Sequence, residues 1–507
     1  MKIALKNVAS LAMSLLALMA CESKKETAIK KPNVVLFVVD DLGWTDAATF
    51  GSDLYQTPNV DRLAEDGVKF TDAYAACTVC SPSRASLMTG KYPATINCTD
   101  WITGHKKPFA KMAIPEWTMY MDPKEYTLAE ALKDEGYNTI HLGKWHLGET
   151  ENYWPENQGF DQNIAGHSAG SPKSHGGGGY FSPYQNPRLE DGPEGEYLTE
   201  RLAAEASAYI QASATSEKPF YMNLWLYNVH TPLQAKEDKI RKYEAIANDS
   251  LHHSNPVYAA MVEHMDDAVG QVVDQLKATG IYDNTIFIFF SDNGGLRKNF
   301  KKTQSVTDNY PLRSGKGDIY EGGVRVPLVI SWPDGIEGGR ISKTIAISPD
   351  IYPTVLSLIK SQNTEALKNI DGKDLSSTLL SNQDQDRGAV YWHYPHYHLE
   401  GAKPYSAVRK GNWKLIQVFE EEQLQLYNLK EDIGETINKV DEQPDITKEL
   451  FQMLNQWREK VGAQLPTANP NYDPVHEEKW LFKKSAIVTP EDLEALKSKT
   501  KESHIGH

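Results

Sequence analysis

Cysteine is scarce in this sequence: there are four in 507 residues, Cys21, Cys77, Cys80 and Cys98. Four is too few for a disulfide framework at this length. Positive charge is also in short supply. Lys and Arg number 53 against 68 Asp and Glu, a formal charge of −15. Such an acidic chain is poorly suited to coating nucleic acid, so no nucleic-acid partner is expected, though a basic pocket inside an acidic protein stays open. There are no internal repeats. What is present, 40% hydrophobic and 24% charged residues, is globular composition and excludes a mainly disordered or collagen-like chain. The length suggests two or three units, or one large α/β domain that absorbs most of it.

The N-terminus reads as an address. Lys2 and Lys6 precede an apolar run from Val8 to Ala20, which is too short and too rich in small residues to span a membrane as an ordinary helix. Leu18-Met19-Ala20-Cys21 resembles a bacterial lipobox, in which Cys21 becomes the lipidated first residue. The alternative is a plain signal peptide with a chance cysteine. The expectation is an exported bacterial lipoprotein, periplasmic or at the outer membrane, with residues 1–20 as signal peptide and 21–31 as a polar tether.

The body has an α/β rhythm. Asn33 to Val39 is a continuous apolar run, as in a strand buried on both faces. Asn138 to Leu142, Phe220 to Tyr227, Thr285 to Phe290 and Val326 to Ser331 read as further strands. Helical patterns lie between them: Thr57 onward with Leu63 and Val68 inward, Tyr126 to Glu135, Leu198 to Ala212, and Pro256 to Thr279. This predicts an α/β fold, a large mainly parallel sheet with helices on both faces, over residues 32–385. Beyond about 385 short strands appear at Ala389 to Tyr394, Trp413 to Val418 and Leu424 to Leu429, then one helix from Asp445 to Val461. A smaller α+β unit with a short antiparallel sheet is expected over 386–465. The charged, proline-interrupted stretch 466–507 is expected to be an extended or loosely helical tail.

Ligands of open α/β sheets gather at the carboxyl ends of the strands. Two strands here end in carboxylates and amides: Asp40-Asp41 and Ser291-Asp292-Asn293-Gly294-Gly295. Clustered carboxylates repel one another and favour a cation, and all-oxygen donors suit Ca2+ or Mg2+ better than Zn2+. Solvated caps and turns are the competing reading. Cys77-Thr78-Val79-Cys80 could be half a zinc site or a redox pair, but no second such pair exists to complete a zinc site.

The residues that follow are more specific. Cys80-Ser81-Pro82-Ser83-Arg84, with Leu87-Met88-Thr89-Gly90 downstream, resembles the modification signature of the type I sulfatases, formylglycine-dependent, arylsulfatase-like members of the alkaline phosphatase superfamily. Further segments resemble that family in order. They are Asp40-Asp41, the Gly143 to Gly148 element (GKWHLG), Asn228-Val229-His230-Thr231-Pro232, Ser291 to Gly294, Lys316-Gly317 with Tyr320 to Pro327, Ser348 to Thr354, and Leu426 to Thr436. The likeness runs over roughly residues 32 to 460.

The resemblance implies hydrolysis of sulfate monoesters. Cys80 is expected to become formylglycine through a maturase, because a thiol leaves its sulfated form without an easy exit and a hydrated aldehyde provides one. Asp40, Asp41, Asp292 and Asn293, with modified Cys80, would hold one Ca2+ per chain. Arg84 and Lys144 would anchor the diol, His146 would take the proton that drives sulfate out, His230 would protonate the leaving alcohol, and Lys316 would bind sulfate. Cys77 and Cys98 match no family position; they could pair or stay free.

The leaving-group pocket is less legible. His167 and His175 sit in a long insertion with a four-glycine run, and His393, His396 and His398 lie in an aromatic cluster that suits stacking on sugars. A tyrosine-rich edge strand with surface histidines is the competing reading. Arg313 could meet a second sulfate or a uronate. The expected substrate is a sulfated glycan, algal polysaccharide or glycosaminoglycan. A phosphoesterase of the same superfamily would want a Ser or Thr nucleophile and more His ligands. A non-catalytic glycan-binding lipoprotein would carry broken catalytic positions, and none is broken.

Overall fold

Val34 to Val39 carries no polar side chain, so it can sit only inside a sheet covered on both sides. It does so as the centre of the protein. The computed structural model describes residues 30–174, 177–298, 305–483 and 487–499. Cys21 and His175, both expected to be functional, lie outside these. The strands, in chain order, are β1 Asn33–Val39, β2 Gly67–Phe70, β3 Ala73–Tyr74, β4 Met112–Ala113, β5 Asn138–Gly143 and β6 Gln162–Ile164. Then come β7 Phe220–Trp225, β8 Thr285–Ser291, β9 Leu328–Ser331, β10 Arg340–Ser342 and β11 Ala346–Ile347. The last are β12 Val390–Tyr394, β13 Tyr405–Lys410, β14 Trp413–Val418, β15 Gln423–Asn428 and β16 Thr467–Ala468.

The main sheet runs β10-β2-β9-β8-β1-β7-β5-β6. β1 pairs in parallel with β7 and β8, and β5 in parallel with β7 and β6. β9 runs antiparallel to both its neighbours. Along β1 the side chains divide by parity. Val35, Phe37 and Val39 pack with helices Pro58–Glu65, Leu198–Ser213 and Pro256–Ala278. Val34, Leu36 and Val38 pack on the other face with helices Cys80–Thr89, Leu128–Asp134 and Ile351–Leu358. Each fully buried aliphatic or aromatic side chain contributes about 1.5–3 kcal/mol, so the centre of the sheet is a stiff frame for charges at its edge.

A separate antiparallel sheet, β12-β13-β14-β15, packs with helix Pro444–Val461 around a third core that includes Tyr74, Val79 and Tyr92. One local expectation changes, and two elements appear that the sequence pattern did not show. Val68 lies in β2 rather than on the helix before it, since that helix ends at Glu65. The helix at Cys80–Thr89 has no amphipathic signal because every residue in it is buried, polar ones included. Strand β13 hides its period because Ser406 and Arg409 are buried and paired. Cys77, Cys80 and Cys98 are all free thiols.

Candidate active site

Four adjacent strands, β8, β1, β7 and β5, end on the same edge, and each delivers site residues. Beyond β1 the ladder continues for one step: Asp40 N–H donates to Asn228 O and Val229 N–H donates to Asp40 O, both at 2.8 Å. This sets Asn228-Val229-His230 beside Asp40-Asp41. Lys144 N–H donates to Trp225 O at 2.7 Å, and Asp292 N–H to Val39 O at 3.2 Å. The segments that sequence separates by up to about 250 residues are thus neighbours because the strands before them are. Cys80 begins its helix, with the chain entering from an extended Val79.

Three carboxylates meet three cations. Lys144 Nζ lies 2.7 Å from Asp40 Oδ2, Arg84 Nε 2.7 Å from Asp292 Oδ2, and Lys316 Nζ 2.7 Å from Asp41 Oδ1. Arg84 also donates to Lys144 O at 3.0 Å and lies over the Trp225 ring. Asp40, Asp292, Arg84 and Lys144 have side chains with no exposure. Losing one partner from such a pair strands the other charge, a cost of about 3–5 kcal/mol. Asp41 N–H donates to Asp292 Oδ1 at 3.1 Å, and Asn293 Nδ2 to Asp41 Oδ1 at 2.8 Å.

Burial pushes the Asp40 carboxyl well above the ordinary carboxylate range, against the pull of Lys144. Burial pushes Asp41 the same way, but Lys316, His230 and Lys144 outweigh it and hold Asp41 low. Burial and then Lys316 depress His230 to about 3. Burial and then Lys144 hold His146 far below its usual value, so it is neutral.

The donor set fits a hard cation. Asp40 Oδ1 and Asn293 Oδ1 are buried oxygens with no hydrogen-bond donor. Asp40, Asp292 and Cys80 each offer a ligand atom, all within 4.8 Å of one another. Carboxylate and amide oxygens are what Ca2+ selects.

Cys80 Sγ lies 3.4 Å from His146 Nδ1, and His146 Nε2 faces Ile102 O. The His146 backbone is left-handed, φ 59°, and its N–H donates to His167 O. A Cβ at Gly170 would lie 2.6 Å from the His146 ring, so any side chain there would have to displace that ring. His230 Nδ1 bonds Thr231 O at 2.6 Å, and its Nε2 faces Asp41 Oδ2 at 3.7 Å.

The expected leaving-group contacts separate. His398 belongs near the centre: a Cβ on Gly317, next to Lys316, would lie 2.0 Å from its Nδ1. His396 is buried, with Nε2 on Thr99 Oγ1 at 2.8 Å and its ring against Trp117. His393 has both ring nitrogens engaged, by Ser406 Oγ and Gln464 O. Arg313 stacks on Tyr320 and donates to Glu435 O at 2.8 Å, which ties it to the small sheet. His167 serves the site through its backbone, and its ring packs on Trp154. Ile102 and Gly170 are contacts that no sequence motif announced, and Ser81 lies inside the Cys80 motif with no role assigned to it there. Ser81 Oγ accepts from Ile102 N–H at 3.2 Å, so one loop touches both Cys80's neighbour and His146.

The sulfatase family model matches residues 32–361, and the model described as N-sulphoglucosamine sulphohydrolase, C-terminal, matches 315–460. A protein named sulfatase from Formosa agariphila is 30% identical, covering 88% of this chain and 92% of its own length. The N-acetylgalactosamine-6-sulfatase of Mus musculus is 32% identical over 72% of this chain and 69% of its own. Among solved structures, Ps i-CgsB in complex with k-i-k-neocarrahexaose superposes with a TM-score of 0.70 at 28% identity, covering 87% of this chain and 94% of that one. The chain belongs to the sulfatase family, on the arylsulfatase-like branch of the alkaline phosphatase superfamily, and it is a sulfuric ester hydrolase.

Proposed function

We propose that this enzyme removes sulfate from a sulfated glycan, with Cys80 converted to formylglycine as its nucleophile and Ca2+ as its counter-ion. The observation that carries the reading is the placement of Cys80. Its Sγ sits on His146 Nδ1 and within ligand reach of Asp40 and Asp292, beside the cations that pair with the site's carboxylates. A sulfate monoester is anionic and resists an anionic attacker, so such cations must face the sulfuryl oxygens.

Asp40, Asp41, Asp292 and Asn293 would hold the calcium, which when bound adds positive charge at the nucleophile and at a sulfate oxygen. As a formylglycine hydrate, Cys80 would supply one hydroxyl for attack on sulfur and a second whose deprotonation lets sulfate leave. His146 is built to take that proton. Its Nε2–H is held by Ile102 O, so the Nδ1 lone pair faces residue 80. Arg84, fixed by Asp292 and Lys144 O, cannot swing away and orients the diol with Lys144. His230 donates Nδ1–H to Thr231 O, which leaves Nε2 facing Asp41 Oδ2 at 3.7 Å; once protonated there, it would pass that proton to the leaving alcohol. An anionic sulfate between His230 and Lys316 would raise the proton affinity of His230, since it answers the charge that depresses it.

The glycan reading is supported by the relatives, among them an N-acetylgalactosamine-6-sulfatase and a structure holding a neocarrahexaose. Algal polysaccharide and glycosaminoglycan oligosaccharides are the substrate classes to test. A formylglycine-generating maturase is the required partner. Lipidation at Cys21, giving a membrane-anchored exported protein, completes the proposal; no described helix is long and apolar enough to cross a membrane. Mass spectrometry of the mature N-terminus checks the anchor, and an unacylated first residue refutes it. The function is tested by sulfate release from algal galactans, ulvan fragments and glycosaminoglycans, with Cys80→Ala as blank. Release from one class, lost in the blank, is expected; release from none by converted enzyme contradicts the glycan reading.

A further inference from the structure

Both family matches end by residue 460, yet the chain beyond them returns to the active-site loop. From Thr467 the tail runs antiparallel to Lys106–Ala113. β16 pairs with β4, Asn469 N–H donates to Lys111 O, Asp473 N–H to Phe109 O, and Leu481 and Lys106 exchange hydrogen bonds at 2.9 and 3.0 Å. This strap delivers Trp480 and Phe482 to His105, with ring centroids 5.0 and 6.4 Å away. The same His105 ring stacks on Trp101 at 5.4 Å and meets His398 edge-on at 5.7 Å.

His398 touches the Lys316 loop at Gly317, and Ile102, one residue past Trp101, holds His146. The loop from Asp100 to Lys106 thus has the catalytic residues on its inner edge and the strap on its outer edge. His105 is buried, while Trp101, Trp480 and Phe482 are only half-buried. Lys107 Nζ lies 5.7 Å from the Trp480 ring and 5.6 Å from that of Tyr397. Half-exposed indoles suit the apolar face of a sugar, and the Lys107 beside them is paired with Glu478 at 3.1 Å.

We propose that Trp480, with Trp101 across His105, forms a stacking face for a sugar ring next to the one that bears the scissile sulfate. The tail is then part of the substrate site, and Trp480 is a specificity-determining residue. This rests on the glycan reading above. Steady-state kinetics of wild type, Trp480→Ala and Trp480→Phe should be measured on a cleaved sulfated oligosaccharide and on a small aryl sulfate. Trp480→Ala is expected to raise KM for the oligosaccharide roughly tenfold with kcat held, to leave the aryl sulfate constants unchanged, and to be largely rescued in Trp480→Phe. Equal loss of kcat on both substrates would overturn the proposal and reduce the strap to a support for the loop. No change on either would overturn it too. If Trp480→Ala fails to fold, Trp480→Leu carries the same comparison. Wild-type enzyme that cleaves the aryl ester but no oligosaccharide would instead refute the glycan reading itself, and the stacking face with it.

Discussion

Asp41 and His146 sit in left-handed backbone, at φ 62° and 59°. A non-glycine residue there costs about 1–2 kcal/mol, and it persists only where neighbours over-determine it. They do so here. Asp41 is fixed by Lys316, Asn293 and Asp292, and His146 by Ile102 O, His167 O and residue 80. The turn after β1 points the Asp41 carboxylate at Lys316, and the turn after Trp145 points the imidazole at Cys80. The proposed roles of His146 and His230 lead to a prediction for the single side chain. His230→Ala should lower kcat/KM for glycan sulfates, whose alcohols leave poorly, by about 100-fold or more, and far less for activated aryl sulfates. Equal losses on both would remove His230 from the role of acid.

The elements explain why these residues meet and which of them were legible. Most of the catalytic motifs lie at a strand end or a helix start, where a local pattern marked them: Asp40-Asp41 after an apolar run, Gly143 to Gly148 after another; Lys316 sits in a loop. The partners are set by strand order, which no local pattern carries. Arg313 shows the limit. Its charge and position suggested a substrate contact; the structure stacks it on Tyr320 and bonds it to Glu435 O while leaving it exposed, contacts that the sequence did not announce. Strap residues such as Trp480 were illegible because their contacts come from a fold-back of the tail, and a charged, proline-interrupted stretch has no period to read. Strand β5 makes the frame testable. Gly143 has φ 96°, and a Cβ there would lie 2.0 Å from Trp225 O. Gly143→Ala must move backbone beside Lys144 and should cost about 2 kcal/mol or more, read as a fall in Tm together with loss of activity. An unchanged Tm would show that the strand end yields easily.

At the scale of the whole molecule, the small sheet is fastened to the catalytic body by buried charge. Lys414 bridges Glu321 and Glu435 at 2.9 and 3.0 Å, and Arg409 reaches Asp72. Buried histidines add a pH limit. Burial lowers His105 and His141 to about 3 and His393 to about 4. In the unfolded chain each returns to about 6.5 and takes up a proton that the folded protein refuses. Their contribution is fully present above about pH 6.5 and is lost as pH falls toward those lowered values, by up to about 2 kcal/mol each at about pH 5. The carboxyls of Glu435 and Glu400, raised to about 7, act in the opposite direction over the same range, so the histidines are read singly: by NMR these three imidazoles should stay unprotonated in the folded protein at about pH 5, and protonated signals there would contradict their burial as neutral groups.

The central claim is that turnover belongs to a converted Cys80. It is tested most directly by measuring sulfate release against the fraction of Cys80 that mass spectrometry shows to be formylglycine, in preparations made with graded amounts of maturase. Activity proportional to that fraction, and none at zero conversion or in Cys80→Ala, is the predicted result. Full activity from unconverted Cys80 protein would contradict the account.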